Sequence, residues 1–235
     1  MDNRNKLKNG KDTNTAEVMQ SVPSDLNDME ALSQYLKTAA GTRQGRSIPP
    51  LDKWHPEQVM DMDLIIKSNG EWWHEGTHMT RESLVNLFAT ILWKEDAEGI
   101  PEYFLKTPVQ KLRIKVEDAP LLINDVGIVT EAGVSWLEFS TSTGDVVRLD
   151  PQHLIELRPF NGASADHSDD KANEKDTFEA QIRPYMMVRN DLDALIGRNA
   201  FYHLTEIGTL TEQDNTTVLT LKSGGKEYQL SMPNE

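Results

Sequence analysis

The chain has 235 residues, 37% of them hydrophobic and 26% charged, which is typical of a globular protein and unlike a disordered one. Its 24 Lys and Arg residues against 38 Asp and Glu residues give a formal net charge of −14, so no nucleic-acid partner is expected. The absence of cysteine excludes disulfides, thiolate metal sites and cysteine nucleophiles. The sequence shows neither a secretory h-region nor an apolar run long enough to span a bilayer, so we expect a cytoplasmic protein without a membrane partner.

The N-terminal part is expected to form a tail and a single helix. Residues 1–22 are polar and aperiodic, which predicts a disordered tail. Residues 23–48 begin with apolar side chains at helical spacing and continue with paired prolines. This pattern predicts a helix over 24–40 with Ser24 as its N-cap, followed by an extended connector.

Residues 49–120 are predicted to form a first α+β repeat. A hairpin over "MDLIIKSNGEWWHEG" is expected to turn at Asn69-Gly70, a pair that suits a type I′ turn. A helix capped by Thr80 follows, because apolar residues recur at helical spacing as far as Leu92. Two strands are predicted on either side of Thr107-Pro108.

Residues 121–235 are predicted to form a second α+β repeat. Three strands come first, then an acidic loop over 161–180, a strand, a helix running from Asn190 to Ile207 and a closing hairpin. "MTRESLVNL" in the first repeat aligns with "MVRNDLDAL" in the second at a constant offset. Together with the repeated element order, this alignment predicts two duplicated hairpin–helix–hairpin halves.

His74-Glu75-Gly76-Thr77-His78 matches the zinc-binding pattern H-E-x-x-H. Two histidines at this spacing can share an ion on a helix, whereas on a strand they lie about 13 Å apart. Gly76 and Thr77 are poor helix formers, and the Asn-Gly hairpin just upstream favours a strand. We therefore interpret the motif as a strand end and assign no metal ligand.

Arg81 and Arg189 are each predicted at the start of a helix, where a cation is unfavourable by about 0.3–1 kcal/mol. An arginine beside a helix N-terminus is, however, well suited to binding a phosphate or a carboxylate. Arg189 has Asp191 and Asp193 close by in the sequence, so local pairing is the alternative there. The two arginines are expected to face each other across the two repeats.

The stretch "KLRIKVED" carries a second candidate surface. Strand alternation places Lys111, Arg113, Lys115 and Glu117 on one face and the apolar residues on the other. The alternative is an ordinary solvated face. Adjacent Glu117 and Asp118 point to opposite faces, so they are not expected to act as an acid/base pair. The sequence contains no Gly-rich phosphate loop and no serine elbow.

Several stretches resemble a bacterial family catalogued as domain of unknown function 1285. They run in order from Pro49 to Arg198, and Gln110 and Leu121 depart from the family's pattern. The resemblance implies a duplicated α+β architecture whose C-terminal half looks superficially like a pleckstrin-homology fold. It also implies a pocket between the halves for a nucleotide-like ligand and a role in signal transduction. The stretches that carry it are "PPLDKW", "DMDLIIKSNGEWWHEG", "TRESLVNLFATIL", "TPVQKLRIKVEDAP", "STGDVV" and "RPYMMVRNDLDALIGR".

Our leading hypothesis is a non-enzymatic binding or sensor protein that holds a small anionic, nucleotide-like molecule between the two repeats. No catalytic residue and no cofactor is assigned. The alternatives are an interaction scaffold whose protein partner is unknown and, less favoured, a zinc hydrolase built on the H-E-x-x-H match. The expected ligand contacts are Arg81, Lys111, Arg113, Tyr185 and Arg189, with Glu117 and Asp118 as hydrogen-bond acceptors.

Overall fold

The structure, a computed structural model, describes residues 28–40, 48–160, 181–213 and 216–233. The predicted tail over 1–22 and the predicted acidic loop over 161–180 lie outside these residues. The chain divides into two compact units, Met1–Ser47 and Ile48–Glu235. Among the described residues, no helix is both long and apolar enough to cross a membrane.

The first unit contains helix α1, Met29–Ala40. The helix begins after Asp28, whose side chain accepts a hydrogen bond from the backbone N–H of Glu30 at 3.0 Å. Asp28 therefore caps this helix. The predicted N-cap, Ser24, lies outside the described residues. Leu32 and Leu36, one helical turn apart, are both buried.

The described residues of the second unit form three β-sheets, a 3₁₀ turn at Leu51–Lys53 and two α-helices. The helices are α2, Glu82–Ala89, and α3, Arg198–Ile207. The first sheet contains β1 Gln58–Ile66, β2 Trp72–His74, β3 Thr77–His78, β4 Leu92–Ala97, β5 Ile100–Lys106 and β6 Gln110–Val116. The second sheet contains β7 Leu121–Glu131, β8 Val134–Thr141, β9 Val146–Arg148, β10 Ile155–Phe160, β11 Gln181–Arg189 and β12 Leu192–Ile196. The third contains β13 Thr209–Gln213, β14 Thr216–Ser223 and β15 Lys226–Pro233.

The first two sheets have the same strand topology. The strand order is β3-β2-β1-β6-β5-β4 in the first sheet and β9-β8-β7-β12-β11-β10 in the second. In each, two three-stranded antiparallel meanders meet at one parallel pair, β1 with β6 and β7 with β12. The duplication therefore lies in whole six-stranded sheets.

The predicted α+β class is too rich in helix, because the described chain is mostly β with three short helices. The main error concerns the helix expected from Asn190 to Ile207, which is present only over Arg198–Ile207. Asn190 and Asp191 both have positive φ, 48° and 58°, and form a tight turn between β11 and β12. Leu192, Ala194 and Ile196 are then buried with the period of a strand.

This turn also invalidates the predicted repeat alignment. Residues 79–87 contain most of helix α2, whereas residues 187–195 form a strand, a turn and another strand. The shared leucine spacing reflects burial in two different kinds of element. Matching the strand orders instead pairs β11 with β5 and β12 with β6.

Three local predictions in and beside the first sheet also fail. Helix α2 ends at Ala89. Leu92, which was predicted to belong to the helix, is the first residue of β4, where it is buried and pairs with Leu105 of β5. The N-cap of α2 is Arg81 and not Thr80. The β1–β2 hairpin is present, but only Gly70 has a positive φ, 85°, so the turn is not the expected type I′ turn.

Candidate functional site

Asp118 links the first two sheets through two hydrogen bonds. It follows β6, and its side chain is only 7% exposed. Its carboxylate accepts one bond from Arg183 Nη1 at 2.8 Å and one from the Tyr185 hydroxyl at 2.6 Å, both on β11. Burial, followed by the bond to Asp118, raises the pKa of Tyr185, so this hydroxyl stays a donor at neutral pH.

A second ion pair extends these contacts across β10 and β12. Arg158 Nη1 and Nη2 both donate to Asp193 Oδ2 at 3.0 Å, and the guanidinium lies 4.3 Å from the centre of the Tyr185 ring. Burial, followed by the charge of Asp193, raises the pKa of Tyr103 on β5 of the first sheet. We call the following residues the junction cluster: Tyr103, Asp118, Arg158, Arg183, Tyr185 and Asp193.

Strand pairing explains why the polar members of β10 and β11 lie together. The register places Arg158 opposite Arg183 and Glu156 opposite Tyr185, and directly opposed residues share one face of a sheet. The alternate residue Met186 is buried on the other face. One face of this meander is therefore polar and the other belongs to the core.

A pocket of about 290 Å³ opens beside the junction cluster. Its polar lining includes Glu156, Arg158 and Asp193, while Tyr185 and Met187 are among the residues that supply aromatic and apolar surface. Within the described residues, Arg158 Nε is buried and has no hydrogen-bond partner. The pocket lining therefore includes a guanidinium group beside an aromatic ring.

Arg189 makes a separate contact between the two sheets. Its Nε donates to Asp145 at 2.8 Å, and its Nη2 donates to the carbonyl of Ala89 at the end of helix α2. The Arg189 side chain is 13% exposed and that of Asp145 is 5% exposed. A cation at a helix C-terminus is favourable, so this arrangement ties the second sheet to α2.

The boundary between the two sheets coincides with a boundary between two known domains. Residues 49–119 match the N-terminal domain of DUF1285, a domain of unknown function, and residues 120–230 match the C-terminal domain of DUF1285. The chain belongs to the DUF1285 family. The junction cluster and the Arg189 contact thus connect the two DUF1285 domains.

Two solved structures of DUF1285 proteins are similar to this chain. The protein from Silicibacter pomeroyi DSS-3 is 28% identical, with a TM-score of 0.61 over 84% of this chain and 94% of that chain. The protein from Shewanella baltica OS155 is also 28% identical, with a TM-score of 0.41 over 61% of this chain and 91% of that chain. No curated protein matches the chain.

The residues predicted to bind an anion do not form one site in this DUF1285 protein. Only Asp118 and Tyr185 belong to the junction cluster. Arg189 ends strand β11, not the start of a helix, and its partner is Asp145. Arg81 is the exposed N-cap of α2, on the other predicted repeat.

The predicted cationic face of β6 is present, with Leu112 and Ile114 buried on the other side. Two of its three cations have carboxylate partners. Lys111 donates to Glu95 at 2.5 Å, and Arg113 pairs with Asp61 and with Glu102.

Glu117 accepts hydrogen bonds from Lys67 Nζ at 2.7 Å and from the backbone N–H of Ser68 at 3.1 Å. Burial opposes the ionisation of Glu117, but these two bonds and the charges of Lys67 and Lys115 outweigh it and lower its pKa. Glu117 thus fastens the β1–β2 turn to the end of β6.

The H-E-x-x-H stretch forms a tight hairpin, which confirms the interpretation as a strand end. His74 pairs with Thr77 and His78 with Trp73, so the two histidines are not one helical turn apart, as they are in the zinc-binding motif. His74 Nδ1 lies 2.8 Å from the carbonyl oxygen of Asp63, and the His78 ring stacks on Trp73. No group of three candidate metal ligands occurs in the described part of the chain.

Arg158, Arg183 and Asp193 are absent from the residues predicted from sequence. Arg158 precedes the 161–180 segment and Arg183 follows it, so the sequence did not indicate that their strands pair with each other. Asp193 lies in the segment mistaken for a helix. The alternation of charged and apolar residues in "IELRPF" and "QIRPYMMVR" is the available signal for a two-sided hairpin.

Proposed function

We propose that this DUF1285 protein is a non-enzymatic binding or sensor protein that holds a small phosphate-bearing molecule in the pocket beside the junction cluster. The observation that supports this proposal is the guanidinium group of Arg158 in the lining of a pocket that also has an aromatic wall, the ring of Tyr185. Guanidinium groups bind phosphate through several N–H donors at once. The family resemblance is what connects such a protein with signal transduction.

The size and charge of the pocket restrict the ligand. A volume of about 290 Å³ is near the lower end for small-molecule sites, which argues against enclosure of a dinucleotide. The lining carries one guanidinium, Arg158, and two carboxylates, Glu156 and Asp193. Repulsion by these carboxylates disfavours polyphosphates, so we propose a single phosphate, such as that of a nucleoside monophosphate.

The proposal places the base or another flat group against the ring of Tyr185, with Met187 at the pocket mouth. The Met187 side chain is 41% exposed, so a ligand can enter without opening the domain junction. The pleckstrin-homology likeness of the second domain stays a prediction. What supports this likeness is that the described part of the second domain contains helix α3 together with two sheets of mostly antiparallel strands.

Thermal unfolding of the full chain against nucleoside mono-, di- and triphosphates tests the proposal. A ligand at 100 times its Kd stabilises the folded state by about 2.7 kcal/mol. We expect a monophosphate to raise the melting temperature more than the corresponding triphosphate. Met187→Trp, which obstructs the pocket mouth but keeps the ion pairs, should remove that increase.

Arg148→Met is the matched control, because Arg148 pairs with Glu131 and Glu138 and does not line the pocket. It should respond to ligand like the unmodified chain. If Met187→Trp responds equally well, the ligand binds elsewhere. If no phosphate-bearing ligand changes the melting temperature, the proposal fails and the interaction scaffold becomes the better hypothesis.

A further inference from the structure

Lys106 has a largely buried side chain whose ammonium group reaches the surface and has no hydrogen-bond acceptor among the described residues. It ends strand β5, is only 5% exposed, and its Nζ lies 3.7 Å from the centre of the Trp93 ring. Within the described chain no oxygen accepts a hydrogen bond from this Nζ. An ammonium group carries three donors, which water or a ligand must then satisfy. The Trp93 ring stabilises the positive charge but supplies no oxygen acceptor.

A second lysine lies directly opposite. Lys106 and Lys111 are paired residues of β5 and β6, so their side chains share one face of the first sheet. Like charges in this position repel each other. The nearest compensation comes from Glu95, which accepts bonds from Lys111 Nζ at 2.5 Å and from Trp93 Nε1 at 3.1 Å. The carboxylate of Glu95 therefore accepts hydrogen bonds from both an ammonium group and an indole N–H.

The electrostatics of Lys106 agree with this geometry. Burial is the largest cause that lowers its pKa, and Lys111 acts in the same direction. Glu95 and, more weakly, Asp52 oppose them without restoring the ordinary value. The lowered pKa of Lys106 therefore comes from its burial, which the charge of Glu95 does not fully offset.

We propose that Lys106 and Lys111 bind a compact oxyanion, inorganic phosphate or the terminal phosphate of a small molecule, on this face of the first sheet. The oxyanion gives Lys106 Nζ the acceptor it lacks and relieves the repulsion between the two ammonium groups. Glu95, whose side chain is 37% exposed, marks where the cluster meets solvent.

This site is separate from the pocket of the proposed function. Successive residues of a strand point to opposite faces, so Lys106 and Tyr103 lie on opposite faces of β5. Tyr103 belongs to the junction cluster, and Lys106 therefore faces away from it. Either site can be lost without the other.

Calorimetric titration of the full chain with inorganic phosphate and with glycerol 3-phosphate tests the site. Lys106→Met and Lys111→Met, which keep much of the side-chain length and remove the charge, should each weaken phosphate binding at least tenfold. Lys115→Met is the matched control, because Lys115 is an exposed lysine on the same face of β6, and it should bind like the unmodified chain. Binding of glycerol 3-phosphate as well would show that the oxyanion can be carried on an organic molecule.

Thermal unfolding adds a second readout, since phosphate also stabilises proteins non-specifically. Without phosphate, Lys106→Met should melt above the unmodified chain, because burial disfavours the charge that is removed. Phosphate should raise the melting temperature of the unmodified chain more than that of this variant. Equal increases in melting temperature, or unchanged phosphate affinity in Lys106→Met, overturn the proposal.

A third measurement needs no variant. The chain has five tryptophans, so indole N–H resonances can be followed individually. Phosphate should shift the Trp93 resonance, because Trp93 shares Glu95 with Lys111. If no indole resonance moves up to millimolar phosphate, the site does not exist.

Discussion

The domain junction and the Lys106 face of the first sheet use buried charge in different ways. At the junction, Arg183 and Arg189 have the nearly buried carboxylates of Asp118 and Asp145 as partners. On the Lys106 face, two lysines share Glu95. A buried cation with its own carboxylate holds structure together, whereas one without an acceptor is better explained by a ligand.

The largest effect should come from breaking the most buried pair. Arg189→Met leaves Asp145 buried without its cation, and such a loss typically costs about 3–5 kcal/mol. Urea unfolding of the variant measures the change in the free energy of unfolding. A change below 1 kcal/mol would mean that Arg189 does not hold the domains together.

Asp118→Asn should have the next largest effect. The amide can still accept the hydrogen bond from Tyr185, but Arg183 loses its charged partner, at a cost of about 1–3 kcal/mol. The same urea measurement applies. Tyr185→Phe is the companion variant, which removes the other bond and keeps the ion pair. If both variants lower the free energy of unfolding equally, the charge of Asp118 contributes no stability beyond that of its hydrogen bonds.

Glu117 should give a smaller effect that depends on pH. Its pKa in the folded chain is below the ordinary value of 4.5, so its stabilisation is complete above that value and is lost as pH falls through the folded pKa. With a side chain 24% exposed, the expected size is about 1 kcal/mol. Glu117→Gln should be less stable than the unmodified chain at pH 7 and equally stable near pH 3. A difference that persists at about pH 3 would contradict this linkage.

Arg113→Met should have the smallest effect on the free energy of unfolding. It tests an exposed ion pair against the buried pairs of the domain junction. Arg113 pairs with Asp61, whose side chain is 82% exposed, so water and salt screen the pair. Exposed pairs contribute about 0.2–1 kcal/mol. We expect a change at the lower end of this range in urea unfolding. A loss as large as that of Arg189→Met would erase the distinction between the two regions.

The sequence by itself predicted the elements whose signal is local. The alternation of apolar and charged residues in β6 identified Leu112 and Ile114 as core residues, because successive side chains of a strand point to opposite faces of the sheet. Gly76 and Thr77 were enough to argue against a helical zinc site, and the hairpin bears this out. Local propensity and periodicity act over a few residues, so they can be evaluated from a window of sequence.

The tertiary structure alone decided the pairing of strands and charges. "NDLDALI" satisfies a helical pattern and a strand pattern, and the β12 interpretation holds because β7 and β11 flank it. Asp118 and Arg183 are separated by 65 positions in the sequence, and Ala89 and Arg189 by 100. Which carboxylate neutralises which cation, and hence that Lys106 has none of its own, depends on distances between strands that no sequence window contains.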